Sequence, residues 1–537
     1  MTEQTINPSA AIADTDTQTL CHSGLSEAEK KQLFWACFLA LATASFAFVF
    51  RVIELPAVID QLQLDKKSFG QIFGASLWPV AITMILFSLW VDKLGYRLSI
   101  AIAFTLQLTS VVMTMFANSE ATLYASSVMA GLGWGVIEAV INPVTAAIYK
   151  HDKAKMLNIL HAAWPAGMVA GGLLILGTPH WGWKLHIAFM LLPLLAYGVL
   201  FWRARFPQDE RVQANVPFVE MLKEFGGMGT FLATTFLTYE IIRLTFGETP
   251  QLLTYSLISG VVMGVLLGGV LKSAGKPLFF FLCVLMVPLA TTELGTDAWI
   301  KDLMQPVLTT AWNIDAGWAI VFSAAVMMVL RFYAGVLFKY LSPPAVLTIS
   351  CLFSAAGLMM LSKASGNIVF VAFLFYAVGQ TYLWATMLGF VSERFPKGGA
   401  LTLNMVTATG MLAVGIIGGP LLGAVQDQQV AKGVAQTFPQ AYEATHSNQS
   451  FIGYRYQKVN MHQVKKTLQA EQYSQLSKTV DQSKRKAFMV AAISPLFMAC
   501  CYFGLVLYFR FNGGYRPVQL MPESGLVTGN KAVQGGD

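Results

Sequence analysis

The chain has 537 residues, 55% of them hydrophobic and 12% charged, with a net charge of +7 and a mean hydropathy of +0.56. Soluble domains carry about 25% charged residues, so this composition excludes a soluble enzyme, a secreted disulfide scaffold and a disordered hub. It indicates an all-α polytopic membrane protein. The positive charge forms no basic stripe with interleaved aromatics, which argues against nucleic acid as a partner. Five of the six cysteines fall inside apolar stretches and none forms a CxxC pair, so neither a disulfide framework nor a metal site is expected.

Residues 1–32 read as a polar tail, followed by an apolar run long enough to span a bilayer, so a cleaved signal peptide is not expected. A span needs about 20 apolar residues. Six such runs fill 33–203, a polar linker covers 204–229, and two further runs form a hairpin at 230–271. Six more fill 272–510, interrupted by a polar extracytoplasmic loop at 427–486, and a tail covers 511–537. Fourteen spans result. Lys93, Arg97, Lys150, Lys153, Arg203 and Arg394 cluster in alternate loops, whereas the others hold little beyond Lys66, Lys67, Lys184, Lys301 and Lys363. That bias predicts both termini in the cytoplasm and an inner (plasma) membrane location.

An internal repeat divides the chain. Leu157-Asn158 recurs as Leu403-Asn404, and the same offset pairs Gly172 with Gly418, Gly177 with Gly423 and Gly133 with Gly379. Parallel six-helix halves must begin on the same face, so an even number of spans must separate them; the hairpin at 230–271 satisfies this. Two parallel repeats around a midplane site are one plan of secondary transporters.

The loop SLWVDKLGYR, Ser88–Arg97, carries Asp92, Lys93, Gly95 and Arg97 in a tight basic turn. It resembles the GxxxD(R/K)xG(R/K)(R/K) signature of the major facilitator superfamily, with Ser88 in place of the first glycine. The resemblance implies that this cluster latches the two halves. The copy in the second half keeps Gly335 but has Lys339 in place of the acid. Further on, GLGWGVIEAVINP (Gly131–Pro143) and LNILH (Leu157–His161) look like the fucose permease branch, a group of sugar:proton symporters. In that branch a fourth-helix carboxylate before Asn-Pro serves sugar binding and proton coupling, and Glu138 stands at that place. No residue matches the branch's first-helix acid; Arg51 and Glu54 are merely nearby.

A carboxylate at membrane depth is costly unless it finds water, a partner or a proton. Glu138 is therefore a candidate for solute and proton binding, with Asn142 one turn away on the same face. Asn158 and His161 share a face of the fifth helix, with Trp164 just beyond; such groups suit sugar hydroxyls and ring faces, and equally serve as interhelical glue. The repeat sets Trp384 opposite Glu138, with Gln380 a turn before it and Asn404 matching Asn158. Glu293 and Trp299 read as lying near the outer mouth, and Arg331 as snorkelling towards the interface. Glu240 and Arg243 are spaced to pair within the hairpin, whose Gly260, Gly264 and Gly268 form a close-packing stripe.

The expected function is secondary active transport of a small polar solute, a sugar by resemblance, by alternating access and with a proton as the coupling ion. No GxxxxGK[ST] motif appears, so ATP is not the energy source, and no cofactor is expected. The rival reading is a sensor or membrane-embedded enzyme that keeps a transporter fold without flux; no HExxH, GxSxG or Cys/His metal spacing supports the enzyme.

Overall fold

The computed structural model describes residues 25–64, 71–247, 249, 251–364 and 366–520, without the side chains of Asp92, 298–303, 310–311 and 470. Gly70, Glu248 and both chain ends beyond these limits lie outside the described residues.

Apolar runs become helices because a bilayer leaves the backbone no other partner. The first half contains α1 (Glu27–Ile53), α2 (Gln71–Val91), α3 (Tyr96–Met115), α4 (Glu120–Ile148), α5 (Lys153–Gly177) and α6 (Trp183–Trp202). Ser26 starts α1 with a capping box, its hydroxyl accepting from Glu29 N while its own N–H donates to Glu29 Oε2 at 2.9 Å. Gly95, at φ 79°, makes the turn between α2 and α3 that a side chain would strain.

The hairpin follows as α7 (Phe218–Phe246) and α8 (Leu252–Leu271). A Cβ on Gly264 would lie 2.9 Å from the Gly227 carbonyl oxygen, so only a glycine lets the two backbones approach this closely. Arg243 donates to both oxygens of Glu240, at 2.6 and 3.0 Å. The helix starts at Phe218, within the linker expected at 204–229. Gly226, at φ 58°, kinks α7 where its backbone packs against Gly275.

The second half contains α9 (Pro277–Gly295), α10 (Gly317–Phe332), α11 (Pro343–Leu361), α12 (Ile368–Arg394), α13 (Pro396–Thr437) and α14 (Tyr473–Phe511). Twelve of these helices are long and apolar enough to cross a membrane. The remaining two expected runs are also helical. Glu240, Arg243 and several threonines make α7 more polar, and α10 is shorter.

Four helices that border the middle of the bundle are broken. α5 is interrupted at Ala162, α12 at Thr381–Tyr382, and α9 and α13 carry π-turns at Thr291–Gly295 and Val414–Gly418. Such interruptions free backbone groups and commonly mark functional positions.

The loop expected at 427–486 is a folded lobe. α13 runs out of the bundle into it, followed by an antiparallel hairpin, β1 (His446–Phe451) and β2 (Tyr454–Val459), and the first turns of α14. Ile452 and Gly453, both at positive φ, make the two-residue turn. Val430, Val434, Phe438, Val459, Val464 and Leu476 form a separate small core. These apolar residues are spread thinly among Gln, Lys and Ser, so the sequence reads as a polar loop.

Candidate functional site

A narrow cavity lies where the halves meet. Trp134, Glu138, His161 and Trp164 line it from the first half; Glu293, Leu294, Arg331, Trp384 and Met411 line it from the second. Helix α5 brings His161 and Trp164 to it, α4 brings Trp134 and Glu138 one turn apart, and α12 presents Trp384 directly after its break.

Within the first half the polar groups form a chain. Asn142 Nδ2 donates to Glu138 Oε2 at 2.8 Å and Trp134 Nε1 lies 3.4 Å from Glu138 Oε1. Asn142 Oδ1 is 2.9 Å from His161 Nε2, which makes that ring nitrogen the donor when the amide is oriented this way. Glu138 is buried, and no cation pairs with it among the described residues. The indoles of Trp134 and Trp164 stack at 4.8 Å with a 24° interplanar angle.

The second half contributes an ion pair. Arg331 Nη2 donates to Glu293 Oε1 at 3.1 Å, and both side chains are buried. Two earlier expectations are corrected here. Arg331 does not snorkel to an interface, and Glu293 is not at a solvated outer mouth. Broken helices explain both. Pro165 has no N–H to offer the His161 carbonyl, and Arg331 Nη1 fills that carbonyl at 2.7 Å while Arg331 Nε donates to the Thr381 carbonyl at 2.6 Å. Trp384 N–H, beside the α12 break, donates to Glu293 Oε2 at 3.0 Å. One turn beyond Glu293, Asp297 Oδ1 accepts from Tyr376 OH at 2.7 Å.

Other candidates sit away from the cavity. Asn158 donates to the Ala154 carbonyl at 2.8 Å and meets Thr386 Oγ1 at 3.2 Å across the two halves. Asn404 Nδ2 donates at 3.2 Å to the Ala139 carbonyl, which Pro143 leaves without a helical partner. Gln380 Nε2 holds the Thr292 carbonyl at 2.7 Å beside the π-turn. These three are interhelical ties. The Trp299 side chain lies outside the described residues, as does that of Asp92.

Of the expected latch, Arg97 Nη2 donates to the Ala204 carbonyl at 3.2 Å, Lys93 stands 5.9 Å from the Phe218 ring centroid, and Ser88 Oγ donates back to the Ile85 carbonyl. These contacts join the α2–α3 turn to the end of α6 and to the hairpin.

Sequence reasoning overlooked Trp134, Met411 and the central position of Arg331. The available signal was Pro165, whose missing N–H announces a free carbonyl at His161.

Helix packing closes the cavity at both ends. On the side where α1 begins and α14 ends, a Cβ on Gly389 of α12 would come within 2.6 Å of Ala154 Cα in α5. Nearby, Lys153 pairs with Glu210 and reaches the Ser392 carbonyl at 3.4 Å, and the Ala154 N–H donates to Glu393 Oε1 at 3.2 Å. Tyr515 OH donates to Glu393 Oε2 at 2.6 Å. Burial, and then the adjacent carboxylate, push this hydroxyl well above its ordinary range and keep it a donor. On the opposite side Gly172 of α5 packs against the Val321 side chain of α10.

The sequence profile of the Major Facilitator Superfamily matches residues 33–420. Multidrug resistance protein D of Escherichia coli (strain K12) is 24% identical over 227 residues, 41% of this chain and 55% of the relative. A gallate transporter of Pseudomonas putida is 24% identical over 198 residues, 36% of this chain and 44% of the relative. The chain thus spans about half the length of the curated relatives it matches. Among solved structures, the E. coli fucose:proton symporter FucP (N162A) superposes with a TM-score of 0.52 at 14% identity, covering 87% of this chain and 98% of that one. Profile and apolar helices agree: this integral membrane protein belongs to the Major Facilitator Superfamily.

Proposed function

We propose that the protein moves a small hydroxyl-bearing solute, a sugar or sugar-like molecule, by alternating access, with a proton as the coupling ion and Glu138 as its carrier. The observation that carries this reading is the composition of the central cavity. Stacked indoles offer an apolar face for a ring, while Glu138, His161 and the Arg331–Glu293 pair offer convergent polar groups, the usual make-up of a small-molecule site. Glu138 has only neutral donors around it, so a proton would remove an uncompensated charge from the bundle. The relatives found are named for a drug, gallate and fucose, all small solutes.

The reading further assigns fourteen spans, the hairpin as an even insertion, and both termini to the cytoplasm. Counterflow of labelled sugars in proteoliposomes tests it. Exchange of at least one solute that also raises the melting temperature of the purified protein is expected. Binding without any exchange would favour the sensor reading instead.

A further inference from the structure

Arg51 presents a problem that the central site does not solve. It lies near the end of α1 and is 4% exposed. Its Nη1 donates to the Ala47 carbonyl at 2.9 Å, and its Nε lies 3.4 Å from Ser127 Oγ. No carboxylate stands within ion-pair distance of it among the described residues. Glu54, the nearest acid on the same stretch of chain, is already engaged with His186 Nδ1 at 2.7 Å. A guanidinium held away from water needs a counter-charge or a full set of acceptors, and it has only two neutral oxygens.

The group faces a second, small cavity inside the first half. Arg51, Ser76, Gln107, Ser110, Phe48 and Trp134 are among its walls. Ser76 and Ser110 spend their hydroxyl protons on the Phe73 and Ser126 carbonyls, both at 2.7 Å, so the open donors there come from Arg51 and Gln107. Gln107 spends its carbonyl oxygen on Tyr197 OH at 2.9 Å, which leaves its amide N–H groups for the cavity. Arg51 Nη2 likewise has no acceptor among the described residues. Two unpartnered donors, one of them cationic, therefore converge on a space walled on its other sides by Phe48, Met190 and the Trp134 indole. The matching ligand is an anion with a flat or apolar body. A guanidinium fork suits a carboxylate in particular, because its two parallel N–H bonds fit two oxygens.

We propose that Arg51 and Gln107 form a carboxylate-binding subsite, and that the hydroxyl-bearing, sugar-like solute carries a carboxylate. The proposal rests on the transport reading only for calling the bound molecule the solute; binding itself is independent of flux. Trp134 links the two cavities, since it lines both and its Nε1 approaches Glu138. An anion held at Arg51 thus acts on the indole that touches the candidate proton carrier.

The test is ligand binding to the purified full-length protein, read by thermal stabilisation and titration calorimetry. The probes are the pairs glucuronate and glucose, and 4-hydroxybenzoate and phenol, at constant chloride. The wild-type protein should bind at least one carboxylate at least tenfold more tightly than its neutral partner. Arg51→Gln should lose at least tenfold in that affinity, and Arg51→Lys should recover part of it by keeping the charge. Equal binding of each acid and its neutral partner by the wild type would overturn the proposal, whether or not the variants fold. So would equal affinity in wild type and Arg51→Gln, or stabilisation by chloride alone to the same degree. Arg51-dependent binding without counterflow would leave the subsite standing and remove the transport reading.

Discussion

Arg331, in the second half, donates to the backbone carbonyl of His161, in the first, at 2.7 Å, and this carbonyl is the one that Pro165 deprives of its helical partner. Asn404 does the same for Ala139, whose carbonyl is freed by Pro143. Two proline-freed carbonyls on one half are thus completed by two side chains from the other. The halves are joined at positions where each helix on its own is unsatisfied.

Removing the charge of Arg331 leaves Glu293 buried and unpaired as well as uncapping His161. Arg331→Gln is expected to lower stability by about 3–5 kcal/mol, the usual cost of breaking a buried pair. Adding Glu293→Gln should recover part of that loss, because the orphaned carboxylate is gone. Thermal unfolding of both variants and the double mutant measures the coupling; strictly additive losses would show that the pair has no energetic link.

Pro165→Ala supplies the missing N–H, so the His161 carbonyl can return to an ordinary helical bond. The tie to Arg331 then becomes dispensable. The variant is expected to gain helix stability within α5 yet weaken the closed arrangement of the halves, visible as faster labelling of an engineered cysteine in the cavity wall. Unchanged labelling would mean that the freed carbonyl does not hold the halves together.

Gly389 and Gly172 sit at opposite ends of the cavity, each at a close approach between the halves. Gly389→Ala would force α12 away from the Ala154 backbone, whereas Gly172→Leu would push against Val321. The first should raise reagent access from the side where α1 begins and α14 ends, and the second from the opposite side. Opening on the same side in both variants would contradict the placement of these two contacts.

Glu138→Gln keeps the size of the side chain and an oxygen for Asn142 but cannot take up a proton. Uphill accumulation driven by a pH gradient should disappear, while solute exchange at equal pH persists. Retained pH-driven uptake would remove Glu138 from coupling and direct attention to Asp297, whose carboxylate pairs with Tyr376.

Part of this site could be read from spacing. Glu138 and Asn142 are one helical turn apart, and the repeat set Trp384 opposite Glu138; all three converge in or beside the cavity. Arg331 could not be read in that way, because its position near the end of α10 fits a solvated cation equally well. Its direction depends on two carbonyl oxygens from other helices, and their availability is set by breaks in those helices. The lobe at 427–486 was hidden for another reason: its core is assembled from scattered apolar residues on several short elements, and only the helix over Tyr473–Ala491 is strongly amphipathic. Asn158 and Asn404, matched by the repeat, each tie the halves together and do not line the cavity.

The lobe has a mechanical consequence. Its first element, Gly419–Thr437, is a 19-residue helix that continues α13 out of the bundle, so it extends about 28 Å from the Val414–Gly418 π-turn. Arg485, in the first part of α14, fastens the lobe to the Ala364 carbonyl of the same half at 2.9 Å. A rigid arm fixed to one half is a pointer. Each degree by which that half tilts moves the far end of the arm by about 0.5 Å, given a rise of 1.5 Å per residue. A spectroscopic label on the β1–β2 turn, at Gly453, would therefore magnify small rotations of the membrane-embedded helices and leave the solute path untouched.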